Sequence, residues 1–150
     1  SGSFGLVLNN IIDIDITEVI SDFPDPSARV SLGGPVSRSN LFFLHTSEKI
    51  KDSQKVIDGI YLGGDFDQLK EEIKTRPKSI KYRLFIGYSG WSDGQLKDEI
   101  KSRSWFVTNA EKDQIMDTTG ANEEYWKELI KNMGDGFTHI AQAPIDPNLN

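Results

Sequence analysis

The sequence predicts a single domain that contains both β-strands and α-helices. A chain of 150 residues, 37% of them hydrophobic, has the length of one ordinary domain and can bury a core. Short apolar runs bounded by glycine, proline and asparagine alternate with stretches in which apolar residues recur at helical spacing. No linker-like or low-complexity stretch divides the chain. We therefore expect one domain over residues 1–150.

Composition and charge narrow the possible classes of function. Seventeen basic and 23 acidic residues give a net charge of -6, which does not favour non-specific attraction to nucleic-acid phosphates. The absence of cysteine excludes disulfides, thiolate metal sites and cysteine nucleophiles. No apolar run approaches the ~20 residues that a membrane helix needs, and no signal-like leader precedes the first apolar run. We expect a soluble, cytoplasmic protein.

Apolar runs spaced along the chain predict short β-strands. The candidates are FGLVLNN (4–10), RVSLGGPV (29–36), NLFFLHT (40–46), GIYLGG (59–64), IKYRLFIGYSG (80–90) and SWFVTN (104–109). The polar segment 47–56 between two of these runs predicts a connector. Prolines in the closing segment 137–150 exclude it from a central strand position.

Four segments carry helical signals. Helices are expected over about 16–21, from Asp65, after Ser92 and from Asn122. In the second of these, Asp65 and Gln68 have the spacing of a capping box, and Pro77 prevents continuation of the helix.

The segment GYSGWSDGQLKDEI, residues 87–100, places Ser89 between a predicted strand and a predicted helix. A serine at such a turn is the nucleophile of hydrolases that carry the G-x-S-x-G motif. Here Trp91 occupies the position of the last glycine, where the close approach of strand and helix requires a small residue. A triad order of Ser89, Asp135 and His139 can nevertheless be written, so a serine hydrolase stays open as an alternative.

Turn and cap chemistry explains more of this segment. Ser92 as N-cap would place Gln95 at the third helical position, which completes a capping box. Trp91 before the cap and Leu96 after it have the spacing of a hydrophobic staple. The favoured interpretation is therefore a structural start of a helix, with Trp91 buried.

Two Gly-Gly turns after predicted strands are the favoured candidates for a binding site. Strand-end glycines can expose backbone N–H groups that form an anion-binding nest, although neither turn has the spacing of a phosphate loop. The candidate binding residues are Gly33, Gly34, Arg38, Gly63, Gly64, Ser89 and Trp91.

Other constellations have simpler structural explanations. His45 and His139 lie among apolar residues, which predicts half-buried, hydrogen-bonded histidines. Asp13 and Asp15 would project to one side of an extended chain, but the ligand pattern of a calcium loop is absent, so no metal site is predicted. The basic stretch 74–83 leaves direct DNA binding open as an alternative.

The motifs taken together resemble one family of bacterial proteins. The series GSFGLVLN, LGGPV, LFFLH, YLGGDF, GYSGWSDGQLKDEI and PIDPNLN is similar to the AlgH/YqgE family over the whole chain. The resemblance implies an α+β fold, with a curved, barrel-like mixed sheet and about three to four packed helices. Members generally begin earlier, so the family's N-terminal strands are expected to be missing here.

The resemblance implies a candidate transcriptional regulator without established catalytic residues. Our leading hypothesis is a non-enzymatic binding or regulatory module without a cofactor. Its expected partner is a protein segment or a small-molecule ligand, with neither a membrane nor nucleic acid as the favoured partner.

Overall fold

A computed structural model describes residues 2–118 and 122–134 of the chain. In this part of the chain, seven strands form one mixed sheet and five helices accompany it. The strands are β1 (Ser3–Gly5), β2 (Ile11–Ile12), β3 (Val30–Leu32), β4 (Val36–His45), β5 (Gln54–Ile57), β6 (Ile60–Leu62) and β7 (Tyr82–Trp91). The helices are α1 (Ile16–Val19), α2 (Phe66–Thr75), α3 (Gln95–Lys101), α4 (Lys112–Met116) and α5 (Asn122–Lys131).

The sheet is built around β7. Its order is β2-β3-β7-β4-β6-β5, and β1 pairs with the last three residues of β7. β3 runs parallel to β7, and the other pairs are antiparallel. The predicted α+β class and mixed sheet are therefore confirmed. Within the described residues the sheet is open and does not close into the expected barrel-like form. The same residues contain five helices, where about three to four were expected.

Hydrophobic side chains are buried on both faces of the sheet. Successive strand residues point to opposite faces, and Leu84 and Phe85 accordingly belong to different clusters. The first cluster includes Leu84 with Leu69 and Ile73 of α2, which confirms the predicted buried face of that helix. The second cluster joins Phe85 to Met116 of α4. The sheet is therefore covered by helices on both sides.

Gly87 changes the alternation of side chains along β7. Its φ of 72° lies in the left-handed region that favours glycine. Strict alternation would place Tyr88 on the face of Leu84, but the Tyr88 ring packs against Phe42, which belongs to the cluster of Phe85. The paired strand β4 shows a register shift between Val36 and Leu41 at this point. The end of β7 therefore faces a different environment from its beginning.

Several local expectations are corrected. SWFVTN (104–109) is not a strand, and Trp105, Phe106 and Val107 are all exposed. Three consecutive apolar residues lack the alternation that buries one face of a strand. The connector 47–56 in fact contains the start of β5, and α4 was not expected.

The helix starts also differ in detail from the expectation. The Asp65 carboxylate accepts from the Gln68 N–H as expected, but the Gln68 side chain binds the N–H of Lys51 and so leaves the capping box half formed. α3 begins at Gln95 after Gly94, not after Ser92. The expected extended tail 137–150 lies outside the described residues.

Candidate functional site

Gly33 and Gly34 lie where the end of β3 crosses the backbone of β7. A Cβ on Gly34 would overlap the carbonyl group of Tyr88, and one on Gly33 would overlap the carbonyl oxygen of Gly87. Both glycines are buried, and the Gly33 N–H donates to the carbonyl of Ile86 at 2.8 Å. The first Gly-Gly turn therefore permits close backbone packing, and the Gly33 N–H is already used within the sheet.

The second Gly-Gly turn is distant from the first. Gly63 and Gly64 follow β6, which is separated from β3 by β7 and β4. Three strand spacings of about 4.8 Å place the two turns about 14 Å or more apart. The Gly63 carbonyl accepts from His45 Nε2 at 2.8 Å. Arg38 is exposed in the irregular part of β4. The candidate glycines thus do not form one cleft.

Ser89 is part of β7 and does not occupy a strand-to-helix turn. Its hydroxyl donates to the Gly33 carbonyl at 3.3 Å, and its backbone pairs with Gly5 of β1. His139, its proposed partner, lies outside the described residues. Among the described residues the histidine is His45, which pairs with Tyr82 at the other end of β7, seven residues or roughly 20 Å away.

His45 is fully buried, more deeply than the half-buried state expected from its neighbours. Its Nδ1 accepts from the Ser47 N–H at 3.2 Å, so Nε2 carries the proton in the neutral ring. Nε2 lies 2.8 Å from the Gly63 carbonyl and 3.0 Å from the Ser53 hydroxyl. Burial lowers the pKa of His45, against hydrogen bonds and the nearby Glu72 that raise it. This histidine is a neutral, hydrogen-bonded part of the interior.

Trp91 lies half-buried at the end of β7, outside both core clusters. Its ring packs over Gly5 and meets the edge of Trp105 at 5.7 Å between centroids. Both indole N–H groups donate to Glu99 Oε2, at 3.2 and 2.8 Å, and Gln95 donates to Oε1. The bond from Trp105 first, then those from Gln95 and Trp91, hold the pKa of Glu99 below its usual value. Trp91 is thus held near the surface by its hydrogen bond to Glu99 and is not part of the core, contrary to the expectation.

The expected capping role of Ser92 is corrected by the same segment. Gln95 Oε1 accepts from both the N–H and the hydroxyl of Ser92, at 2.9 and 3.1 Å. The Ser92 hydroxyl is therefore a donor to a side chain and does not cap a backbone N–H.

Asp15, one of the two acids in the DIDI segment, acts as the N-cap of α1. It accepts from the hydroxyl and the N–H of Thr17, which lower the pKa of Asp15 in that order of importance. Within residues 2–118 and 122–134, no group of three or more His, Asp or Glu side chains is arranged to hold a metal ion. In the same part of the chain no helix has the length and apolar content to cross a membrane.

The basic stretch 74–83 does not form one exposed surface. Arg83 is buried, and its guanidinium donates to the carbonyls of Leu8 and Ile115 and to the Ser31 hydroxyl. Lys81 forms an ion pair with Asp113 at 3.1 Å. Nucleic-acid phosphates would therefore meet fewer free cations than the sequence suggests.

A cleft of about 700 Å³ opens where β3 and β7 begin, and α4 forms one of its walls. This volume is within the range of small-molecule sites, roughly 300–1,000 Å³. The cleft is lined by Asp25, Ser27, Ala28, Arg29, Ile80, Lys81, Tyr82, Asp113, Met116, Asp117 and Thr118. Ala28 and the ring of Tyr82 provide half-buried apolar surface, Ile80 and Met116 are almost wholly buried, and the remaining side chains are polar or charged.

Tyr82 and Asp25 form the most buried polar pair of the cleft. The Tyr82 hydroxyl donates to Asp25 Oδ2 at 2.5 Å, and Oδ1 accepts from the hydroxyl and the N–H of Ser27. Burial and then the hydrogen bond to Asp25 raise the pKa of Tyr82 far above its usual value. Burial alone would raise the pKa of Asp25, but the bonds from Tyr82 and Ser27 outweigh it and lower that pKa.

Two cations lie on the rim of the cleft. Arg29 Nη1 donates to the Thr118 carbonyl at 3.2 Å, and Arg29 forms no ion pair with the described residues. Lys81 pairs with Asp113, and both side chains are exposed. Sequence reasoning missed this site because its residues come from three separate segments, 25–29, 80–82 and 113–118, which carry no motif.

The fold and the cleft together define the class of protein, an α+β protein with a mixed sheet and a polar cleft at the start of two parallel strands. The chain belongs to the AlgH-like family, DUF179, whose model matches residues 1–138. This confirms the resemblance seen in the motifs.

Relatives and solved structures agree with this assignment. The chain is 39% identical to a UPF0301 protein of Parabacteroides distasonis, over 99% of this chain and 76% of that protein. It is 37% identical to a UPF0301 protein of Chlorobaculum parvum, over 99% and 80%. Protein DIP2367 of Corynebacterium diphtheriae has a similar structure, with a TM-score of 0.74 at 21% identity, over 95% of this chain and 76% of that one. The AlgH protein of Pseudomonas aeruginosa gives 0.67 at 21% identity, over 97% and 79%.

Proposed function

We propose that the protein is a non-catalytic binding module whose ligand occupies the cleft between β3, β7 and α4. The observation that carries this proposal is the Tyr82–Asp25 pair, where the pKa of Asp25 is lowered and that of Tyr82 is raised. Efficient proton transfer needs a group whose pKa lies near the working pH. Both pKa values are displaced away from neutrality, so each group keeps the charge it already has. Such a pair can orient a ligand without exchanging protons with it.

The test of this function is a screen of chemically diverse small fragments and short peptides by ¹H–¹⁵N correlation spectroscopy. We expect at least one compound class to shift the amide signals of the cleft residues in a saturable way. The Tyr82→Phe variant should weaken that binding, and Tyr61→Phe, which removes an exposed tyrosine hydroxyl, should leave it unchanged. Saturable binding that maps only to another surface, or none at all, would refute the proposal.

The serine hydrolase is the rival function, and it makes a different prediction. A phosphonate probe that reacts with activated serines should label the protein if Ser89 is a nucleophile, and Ser89→Ala should lose that label. We expect no labelling of the wild-type protein, because the Ser89 hydroxyl donates to the Gly33 carbonyl within the strand pair. Stoichiometric labelling that Ser89→Ala abolishes would replace the binding proposal with the hydrolase.

In this proposal, a regulatory role depends on the bound ligand or on a protein partner and not on direct contact with DNA. Direct DNA binding through residues 74–83 has less support, because Arg83 is buried and Lys81 is paired. If the protein binds DNA in this way, its affinity should fall steeply with salt concentration, and Lys78→Glu should weaken the binding.

A further inference from the structure

Arg29 is the feature of the cleft that distinguishes between ligand classes. Its guanidinium makes one hydrogen bond, from Nη1 to the backbone carbonyl of Thr118, and no ion pair with a described residue. A guanidinium has five N–H donors in a planar fork that matches the two oxygens of a carboxylate. This one bond leaves most of the donors of Arg29 for a ligand.

Three aspartates line the cleft together with the two cations Arg29 and Lys81. Asp25 accepts from Tyr82 and Ser27, Asp113 pairs with Lys81, and Asp117 is not without a partner either. Two positive and three negative side chains give the lining a formal charge of -1, so attraction over long distance does not favour an anion, and a ligand carboxylate is held by its local contact with Arg29.

Partly exposed apolar surface lies beside these charges. Ala28 and the ring of Tyr82 line the cleft and are half-buried, whereas Ile80 and Met116, 7% and 5% exposed, are almost wholly covered by the protein. A ligand with only a charged head would leave the surface of Ala28 and Tyr82 in contact with water, whereas a ligand with an apolar body would cover it.

We infer that the cleft binds a small organic acid that has a carboxylate head and an apolar body. The carboxylate takes the free donors of Arg29, and the body lies against Ala28 and the ring of Tyr82. This inference rests on the proposed binding function of the same cleft and adds the chemical class of the ligand. An inorganic phosphate shares the anionic head but lacks the body.

Hexanoate is the probe that tests the inference, with hexan-1-ol, acetate and inorganic phosphate as its comparisons. Titrations are followed by ¹H–¹⁵N correlation spectroscopy on the amides of the lining residues. We expect saturable shifts with hexanoate and binding weaker by about tenfold or more for each comparison, since each lacks one of the two contacts. Equal binding of hexanoate and hexan-1-ol would overturn the carboxylate head, and tighter binding of phosphate would overturn the apolar body.

Variants of Arg29 identify the anchor. Arg29→Gln should raise the dissociation constant for hexanoate by about tenfold or more, and Arg29→Lys should have an intermediate effect because it keeps the charge but not the fork. Arg103→Gln, at an exposed position on another loop, should change nothing. Unchanged affinity in a folded Arg29→Gln variant would overturn the inference.

The outcomes also separate this inference from the proposed function. If hexanoate fails to bind while a fragment of another class occupies the cleft, the ligand class is wrong and the binding function stands. If no compound in the diverse screen occupies the cleft, both are wrong.

Discussion

The two ends of β7 differ in how they use their residues. At the end of β7, near Gly87 and Ser89, its backbone lies directly against the backbone of Gly33 and Gly34, which follow β3. The Ser89 hydroxyl donates to the Gly33 carbonyl there. At its beginning, Lys81 and Tyr82 open onto a cleft with apolar surface and charged side chains. The motif-rich end is a packing device, and the end without a motif is the better candidate for a site. Glycine patterns therefore report close approach of the backbone at least as readily as function.

The largest effect is expected at the packed end of β7. Gly34→Ala would push its Cβ into the carbonyl group of Tyr88, and the strands would have to separate. We expect a loss of about 3 kcal/mol in the free energy of unfolding, at the upper end of typical overpacking costs. Urea denaturation of Gly34→Ala and of the wild type measures this difference in the free energy of unfolding. Gly90→Ala is the control, since its Cβ would meet only the ring of Tyr88, and wild-type stability in Gly34→Ala would contradict the close packing.

A smaller effect is expected at the open end. Tyr82→Phe removes the hydroxyl that donates to Asp25, and we expect a loss of about 1–2 kcal/mol at neutral pH. The pKa of Asp25 in the folded protein lies below the ordinary value of 3.8, so this stability is present above that value and is lost as the pH falls through the folded pKa. The difference between variant and wild type should therefore shrink in acid.

Urea denaturation at neutral pH and at a pH below 3.8 checks this dependence. Tyr61→Phe is the matched control, because its hydroxyl makes a long, exposed hydrogen bond to Glu48 at 3.4 Å. A difference between Tyr82→Phe and wild type that stays constant across the pH range would show that Asp25 is not the group involved.

The smallest effect on stability is expected where Glu99 binds the indoles of Trp91, the last residue of β7, and of Trp105. Glu99→Ala removes the acceptor shared by the indoles of Trp91 and Trp105. We expect little change in the unfolding midpoint, because Trp105 is already 46% exposed. Acrylamide should quench tryptophan fluorescence more strongly, because the indoles of Trp91 and Trp105 lose the acceptor that holds them together. Asp98→Ala, on the same helix, is the control. Quenching equal to that of wild type would mean that the carboxylate does not hold the two rings.

Strong periodicity made part of the fold predictable from sequence. Leu69 and Ile73 marked the buried face of α2, and the long apolar run at 80–90 marked the central strand β7. Three consecutive apolar residues at Trp105–Val107 suggested a strand, but no sheet edge in the described chain receives them. Local pattern predicts the type of an element and cannot supply its partner.

The candidate site was less predictable, for a physical reason. A sequence motif records residues that are neighbours along the chain, whereas Asp25 and Tyr82 are 57 positions apart and meet only through the parallel pairing of β3 and β7. The predicted binding residues Gly33 and Gly63 were visible because glycine pairs mark turns. Whether the full predicted set binds a ligand stays a prediction, and the structure brings Ser89, Gly33 and Gly34 together but not Gly63 or Gly64.

The buried Arg83 links three distant parts of the chain, through the carbonyls of Leu8 and Ile115 and the hydroxyl of Ser31. Any motion that lifts α4 from the sheet must break the bond to Ile115 and admit water to this cation. Helix α4, which forms the wall of the cleft, and strand β7 should therefore exchange their amide hydrogens as one cooperative unit. A ligand bound in the cleft should then also slow exchange in the segment around Leu8, whose carbonyl Arg83 binds.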